Sequence, residues 1–168
     1  MLSNTPLGRR AFIGAGALTA AGAASFLFRS PSASAEQFSV TFSDAQWKAR
    51  LGSNRYRILR QEGTERAFTS PLLNEHRAGV FTCAGCNLPL YSSRTKFESG
   101  TGWPSFYAAL PNAVANRRDT TFGMVRTEEH CRRCGGHLGH VFNDGPRPTG
   151  KRHCINGLSL QFKPGSAA

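Results

Sequence analysis

Two short stretches carry the most specific chemical signal in this sequence. "CAGC" sets Cys83 and Cys86, and "CRRC" sets Cys131 and Cys134, at C-x-x-C spacing. Thiolates three residues apart on a tight turn face one point, and two such turns supply four sulfurs, the donor set of a closed tetrahedral zinc site. A site of that kind has no open position for a substrate. Its single Zn2+ per chain would hold distant segments together and do no chemistry. Four cysteines can instead form a pair of structural disulfides in an oxidising compartment. A redox role for C-x-x-C needs only one copy.

The fifth cysteine, Cys154 in "KRHCINGLSL", has no cysteine three residues to either side. A lone cysteine is commonly a small buried apolar residue. Here Arg152 and His153 precede it, and cationic neighbours favour the thiolate, so a nucleophile is expected. Asn156 falls on the same face of an extended segment and offers an amide beside the sulfur. In "HLGH", His137 and His140 can donate a proton near neutral pH. Metal ligation and a hydrated strand edge are the other uses of that pair, but four cysteines already make one donor set. In "GTGWPSF", Trp103 between glycine and proline is either a core residue or an apolar wall for a small group such as a methyl.

These residues need rigid elements to bring them together. Ser43-Asp44 marks a helix start, with Trp47 and Leu51 on one face, and a second short helix is predicted over 54–61, stopping at Gly63. Beyond it, "GVFTC", "TTFGMVRT", "HLGHVF" and "LSLQF" read as short strands between turn-rich pieces such as "NDGPRPTG". The gaps lack the long amphipathic helices that parallel crossovers need. The fold class predicted is therefore mainly β and antiparallel, preceded by short N-terminal helices.

Residues 1–35 read as an address. Arg9-Arg10 precede a Gly/Ala-rich apolar run, Ala11 to Phe28, and Ala33 to Ala35 offer a small-residue cleavage site before Glu36. This is the pattern of a twin-arginine-type signal peptide, with a membrane anchor as the other reading if it stays uncleaved. Export machinery of that type, a periplasmic location and a mature domain over 36–168 follow as expectations. The chain carries a formal +11 from 21 basic and 10 acidic residues. Only Arg9, Arg10 and Arg29 of these lie in the leader, which leaves +8 on the mature part. The charges are scattered, without the block of five or more that marks a nucleic-acid tail.

In this order, "CAGC", "ESGTGWPSF", "CRRC", "HLGHVFNDGP" and "RHCINGLSL" resemble the motifs of the methionine-R-sulfoxide reductases, the MsrB family, across roughly residues 40–163. The resemblance implies two antiparallel sheets, a structural zinc on the four paired cysteines, and Cys154 as nucleophile. It implies that Trp103 packs against the substrate methyl, that His140 with His137 serves the sulfoxide oxygen, and that Asn156 helps orient the site. Asp144 would support the site indirectly. The implied reaction is thiol-dependent reduction of methionine-R-sulfoxide in oxidised proteins through a cysteine sulfenic acid, with an external thioredoxin-like thiol as reductant. The R preference comes from the resemblance alone, and a monomer is expected.

Two positions depart from the family pattern. His153 stands where an aromatic residue is usual, and Thr101 stands where many members carry a second cysteine. The alternative from another class is an exported zinc-ribbon module that binds without catalysis, with nucleic acid as the ligand a basic surface would attract. Ribbon knuckles lie about 15–20 residues apart, whereas these begin at Cys83 and Cys131. Export also separates the chain from nucleic acid, so no nucleic-acid partner is expected.

Overall fold

A computed structural model describes residues 36–167. The leader expected over 1–35 lies outside the described residues. The chain enters helix α1, Asp44–Gln61, through a capping box: the Ser43 hydroxyl accepts from the Gln46 N–H at 3.3 Å, and the Gln46 side chain accepts from the Ser43 N–H at 2.9 Å. At Gly52 the backbone leaves the helix (φ 68°, ψ 167°), so the two helices expected here are two arms of one interrupted element. It closes on Glu62 in the left-handed region, one residue before the predicted Gly63. Trp47, Ile58 and Leu59 are its buried residues.

The rest is antiparallel β structure in two sheets, the class expected. Strands β1 (Gly79–Cys83), β2 (Pro89–Ser92) and β9 (Leu160–Pro164) form one in the order β2-β1-β9. The other runs β3-β4-β8-β7-β6-β5, from β3 (Lys96–Phe97), β4 (Ser105–Phe106), β5 (Val114–Asp119), β6 (Arg126–Cys131), β7 (His137–Phe142) and β8 (Arg152–Ile155). No helix among the described residues is long and apolar enough to cross a membrane.

"GVFTC" and "HLGHVF" are β1 and β7 with the boundaries read from sequence. "LSLQF" is split, because Gly157–Ser159 form a 3-10 turn and β9 begins at Leu160. "TTFGMVRT" is corrected: Thr121–Gly123 turn, with Gly123 at φ 70°, and the strand starts only at Arg126. The strands on either side of that turn, "VANRRD" and "RTEEHC", look like surface sequence. Yet Glu128, Glu129 and His130 are buried, each beside a partner that offsets the cost of removing it from water.

The core is continuous across both sheets. Tyr91 stacks on Phe106 with centroids 4.4 Å apart, and Phe81 meets Phe106 edge-on at 5.0 Å. Trp47 and Leu59 bring α1 into the same cluster as Cys83, Cys131 and Cys134. The chain passes from the six-stranded sheet to the three-stranded one between β8 and β9, and Asn156 sits at that crossing.

Candidate active site

Directly opposed residues of antiparallel strands share a face, with Cβ atoms about 4.5–5.5 Å apart. Register therefore draws a line across the six-stranded sheet: Ser105 opposes Cys154, Cys154 opposes His140, His140 opposes Glu128, and Glu128 opposes Arg117. Cys154 and His140 are thus set side by side by strand pairing alone. Period-two alternation would send His137 to the other face. A register shift between Glu129 and His130 brings it back, so the two imidazoles meet edge-on at 5.6 Å.

Each imidazole is backed by a carboxylate. His140 Nε2 donates to Asp119 Oδ2 at 2.8 Å, and His137 Nδ1 donates to Glu128 Oε1 at 2.6 Å. Asp119 also accepts from the Thr121 hydroxyl and N–H and from Arg126. These bonds, those from Thr121 first, hold its carboxyl far below the usual range. Burial opposes ionisation of Glu128, but His137 and Arg117 still hold it low. Burial pushes His140 below the usual histidine value of 6.5, Asp119 pulls against it, and Arg126 and His137 add to the fall. His140 is therefore neutral at neutral pH, its Nε2 proton fixed on Asp119.

Cys154 corrects one expectation. Burial pushes its thiol above the usual 9.0, against the smaller opposing pull of Thr101 and Arg152. Arg152 shares its face and pulls the thiol down, but burial outweighs that pull, and the guanidinium is also held bidentate by Asp144, at 2.9 Å to each oxygen. His153 faces the opposite way, with Nδ1 donating to Glu129 at 2.6 Å while Tyr91 donates to the other Glu129 oxygen at 2.5 Å. The resting sulfur is a thiol, with Thr101 Oγ1 at 3.8 Å.

Cys154, His140, Trp103, Phe142, Arg126, Gly139, Thr64 and Asn156 line a pocket of about 130 Å³. Trp103 forms its apolar wall, and its Nε1 donates to Glu65 O at 2.9 Å, which locks the ring. Asn156 spends its amide on the main chain: Nδ2 donates to Leu138 O at 3.0 Å and Oδ1 accepts from Glu65 N–H at 2.8 Å. It pins the Thr64–Glu65 wall to the strand crossing, and so orients the pocket instead of presenting a free amide. Asp119, Glu128 and Arg126 were not read from sequence. Their signal was strand alternation in a segment whose charges hid it.

The paired cysteines lie apart from this line. All four sulfurs fall within 4.8 Å of one another, with Cys83 and Cys134 at 3.7 Å and Cys86 and Cys131 at 3.5 Å. A tetrahedron with metal–sulfur bonds of about 2.3 Å has edges of about 3.8 Å, so the four thiols fit a metal ion. The two turns are built alike. Asn87 N–H donates to Cys83 O and Gly135 N–H to Cys131 O, both at 2.8 Å, and each turn closes with that residue at positive φ. One turn belongs to each sheet, so an ion held there would staple the sheets together.

A mainly β protein with four clustered thiols able to hold a metal, and a separate pocket in which a fifth thiol faces a carboxylate-backed imidazole, has the layout of an enzyme with a cysteine nucleophile. The family model for the SelR domain matches residues 51–164, and the chain belongs to that family. It is 62% identical over 122 residues to the peptide methionine sulfoxide reductase MsrB of Thiobacillus denitrificans, covering 72% of this chain and 92% of that protein. It is 55% identical over 126 residues to the protein of that name from Agrobacterium fabrum, covering 74% and 93%. For the one from Leptospira interrogans the figures are 54% over 127 residues, 75% and 97%.

Proposed function

We propose that this chain is a peptide-methionine (R)-S-oxide reductase that uses Cys154 as nucleophile. The observation that carries the reading is the direct opposition of Cys154 and His140 in a pocket walled by Trp103. The substrate methyl lies against Trp103, and the sulfoxide sulfur meets Cys154. His140 takes the thiol proton at Nδ1, the ring nitrogen not bonded to Asp119, and passes it to the sulfoxide oxygen as the sulfur–oxygen bond breaks. The oxygen passes to the Cys154 sulfur as it leaves the methionine sulfur: the methionine sulfur gains two electrons and departs as the thioether, and Cys154 loses two and holds the oxygen and the proton as a sulfenic acid. His137 with Glu128 braces the His140 ring, and Asn156 and Asp144 position the walls. An external thiol then attacks Cys154, releasing water and leaving a mixed disulfide, which a second thiol resolves. A thioredoxin-like protein suits that role.

The metal suited to four thiolates at these separations is zinc, one per chain and purely structural. The substrates are oxidised proteins, and the protein works as a monomer. The knuckle turns of a zinc ribbon would not need the carboxylate-backed histidines beside Cys154, so the binding-module reading is not favoured. The test is reduction of a methionine-R-sulfoxide peptide coupled to thiol consumption. Wild type should turn over and Cys154→Ser should fall to background; equal activity in the two would refute the assignment.

The thiol and imidazole also set a pH profile. Falling pH protonates His140 and removes the acceptor for the thiol proton, and this occurs below 6.5 because burial lowers His140. Rising pH ionises Cys154 and removes the proton the oxygen needs, which occurs above 9.0 because burial raises the thiol. We expect kcat/KM to be flat between these limits, and Asp119→Asn to move the acid limb lower still. An acid limb above 6.5 would contradict this pairing.

The doubled arginine, apolar run and "ASA" before Glu36 support twin-arginine export, with a mature periplasmic protein starting at Glu36. Replacing Arg9-Arg10 by Lys-Lys should strand the protein in the cytoplasm. Unaltered export, followed by cell fractionation, would argue for another route.

A further inference from the structure

Phe68 is 71% exposed and sits at φ 65°, a left-handed conformation that costs a bulky residue free energy unless the surroundings impose it. Its surroundings do. Phe68 N–H donates to Gly102 O at 2.8 Å, and a Cβ at Gly102 would lie 2.9 Å from Cδ2 and 3.0 Å from Cε2 of the ring. The ring therefore rests edge-on against the backbone between Thr101 and Trp103 and shows its remaining surface to water. Beside it opens a second pocket of about 140 Å³, lined by the apolar Phe68, Leu73 and Trp103, by the polar Asn74, Glu98 and Ser99, and by Gly100 and Gly102. Trp103 borders this pocket and the Cys154 pocket alike.

We propose that this second pocket is a peptide subsite that takes an apolar side chain one or two residues from the methionine sulfoxide. The inference rests on the reductase reading and deepens it. A polypeptide whose sulfoxide side chain fills the Cys154 pocket must run across its rim. Neighbouring residues then lie within about 4–7 Å along the chain, and Trp103 is the wall that the two pockets share. The walls from Phe68, Leu73 and Trp103 favour an apolar occupant, and the exposed face of Phe68 is the surface it would cover.

The experiment compares two peptides of one methionine-R-sulfoxide, flanked by glycines or by leucines, using the purified protein with a thiol reductant. Wild type should show kcat/KM about tenfold higher for the leucine peptide, as expected for partial burial of an apolar side chain. In Phe68→Ala and Phe68→Gly that ratio should collapse toward one. Phe68→Gly should melt at the same or a higher temperature than wild type, because glycine accepts the left-handed backbone without strain. A ratio that survives in both variants overturns the subsite. An equal loss for both peptides together with a lower melting temperature also overturns it, since Phe68 would then be a packing residue. Failure of wild type to reduce either peptide would instead overturn the underlying reductase reading, and the subsite with it.

Discussion

Cys131→Ser, or extraction of the metal by a strong chelator, is expected to unfold the protein at ambient temperature. The cluster joins the β1–β2 turn of one sheet to the β6–β7 turn of the other, and Cys83 and Cys131 are fully buried. A structural zinc site contributes an apparent binding free energy of about 10–16 kcal/mol in small modules. A whole domain is stable by only about 5–15 kcal/mol, so loss of the ion outweighs what remains. The damage also reaches the chemistry, because β7, which carries His137 and His140, begins three residues after Cys134. Zinc content by elemental analysis should be one ion per chain, and circular dichroism should show loss of strand signal on chelation. A metal-free protein that keeps its melting temperature would refute the staple.

The second large effect concerns Cys154 after one turnover. Thr101 stands at the position that could have held a resolving cysteine, and the other four cysteines are gathered in the cluster proposed to hold zinc, so on that proposal no thiol of the chain is free to attack the sulfenic acid. Without added thiol, wild type should release one methionine per chain and stop. Thr101→Cys should change that end state to an internal disulfide. Thr101 Oγ1 already lies 3.8 Å from Cys154 Sγ, and a disulfide needs the sulfurs at about 2.05 Å. Gly100 and Gly102 flank the position, and a Cβ at Gly100 would meet nothing within 4 Å, so the loop has room to close the gap. The mass of the protein should then fall by two hydrogens in Thr101→Cys. Formation of a bridge in wild type, between Cys154 and any knuckle cysteine, would contradict the account.

On the proposed export to an oxidising compartment, dependence on an outside reductant would have a physical cost, because a sulfenic acid that waits is exposed to further oxidation. Burial protects the resting state only: the raised thiol pKa keeps the reduced sulfur protonated until a substrate gives His140 somewhere to send the proton.

Much of the site was legible because its parts announce themselves by residue type. Four cysteines in two C-x-x-C turns, a fifth alone, "HLGH" and a tryptophan fixed by glycine and proline need no structure to be noticed. What could not be read is how strand pairing uses them. The segment "VRTEEHC" shows no apolar alternation, since Glu128, Glu129 and His130 are buried on the strength of partners far along the chain: Arg117 and His137, Tyr91 and His153, and Glu36. The bulge that turns His137 onto the face of His140 leaves no mark in "HLGH" itself. Arg152 and His153 misled for the same reason, because their effect on Cys154 depends on Asp144 and on the face of the strand. The polar partners of Asn156 were equally hidden, lying 18 and 91 residues away.

The central claim, that Cys154 takes the oxygen from a methionine sulfoxide, is tested most directly by following that atom. Reduced protein is mixed with one equivalent of a methionine-R-sulfoxide peptide carrying heavy oxygen, without thiol, and the Cys154 peptide is weighed at once. The account predicts one heavy oxygen on Cys154 for each methionine formed. Methionine formed with an unmodified Cys154, or with the label on another residue, would contradict it.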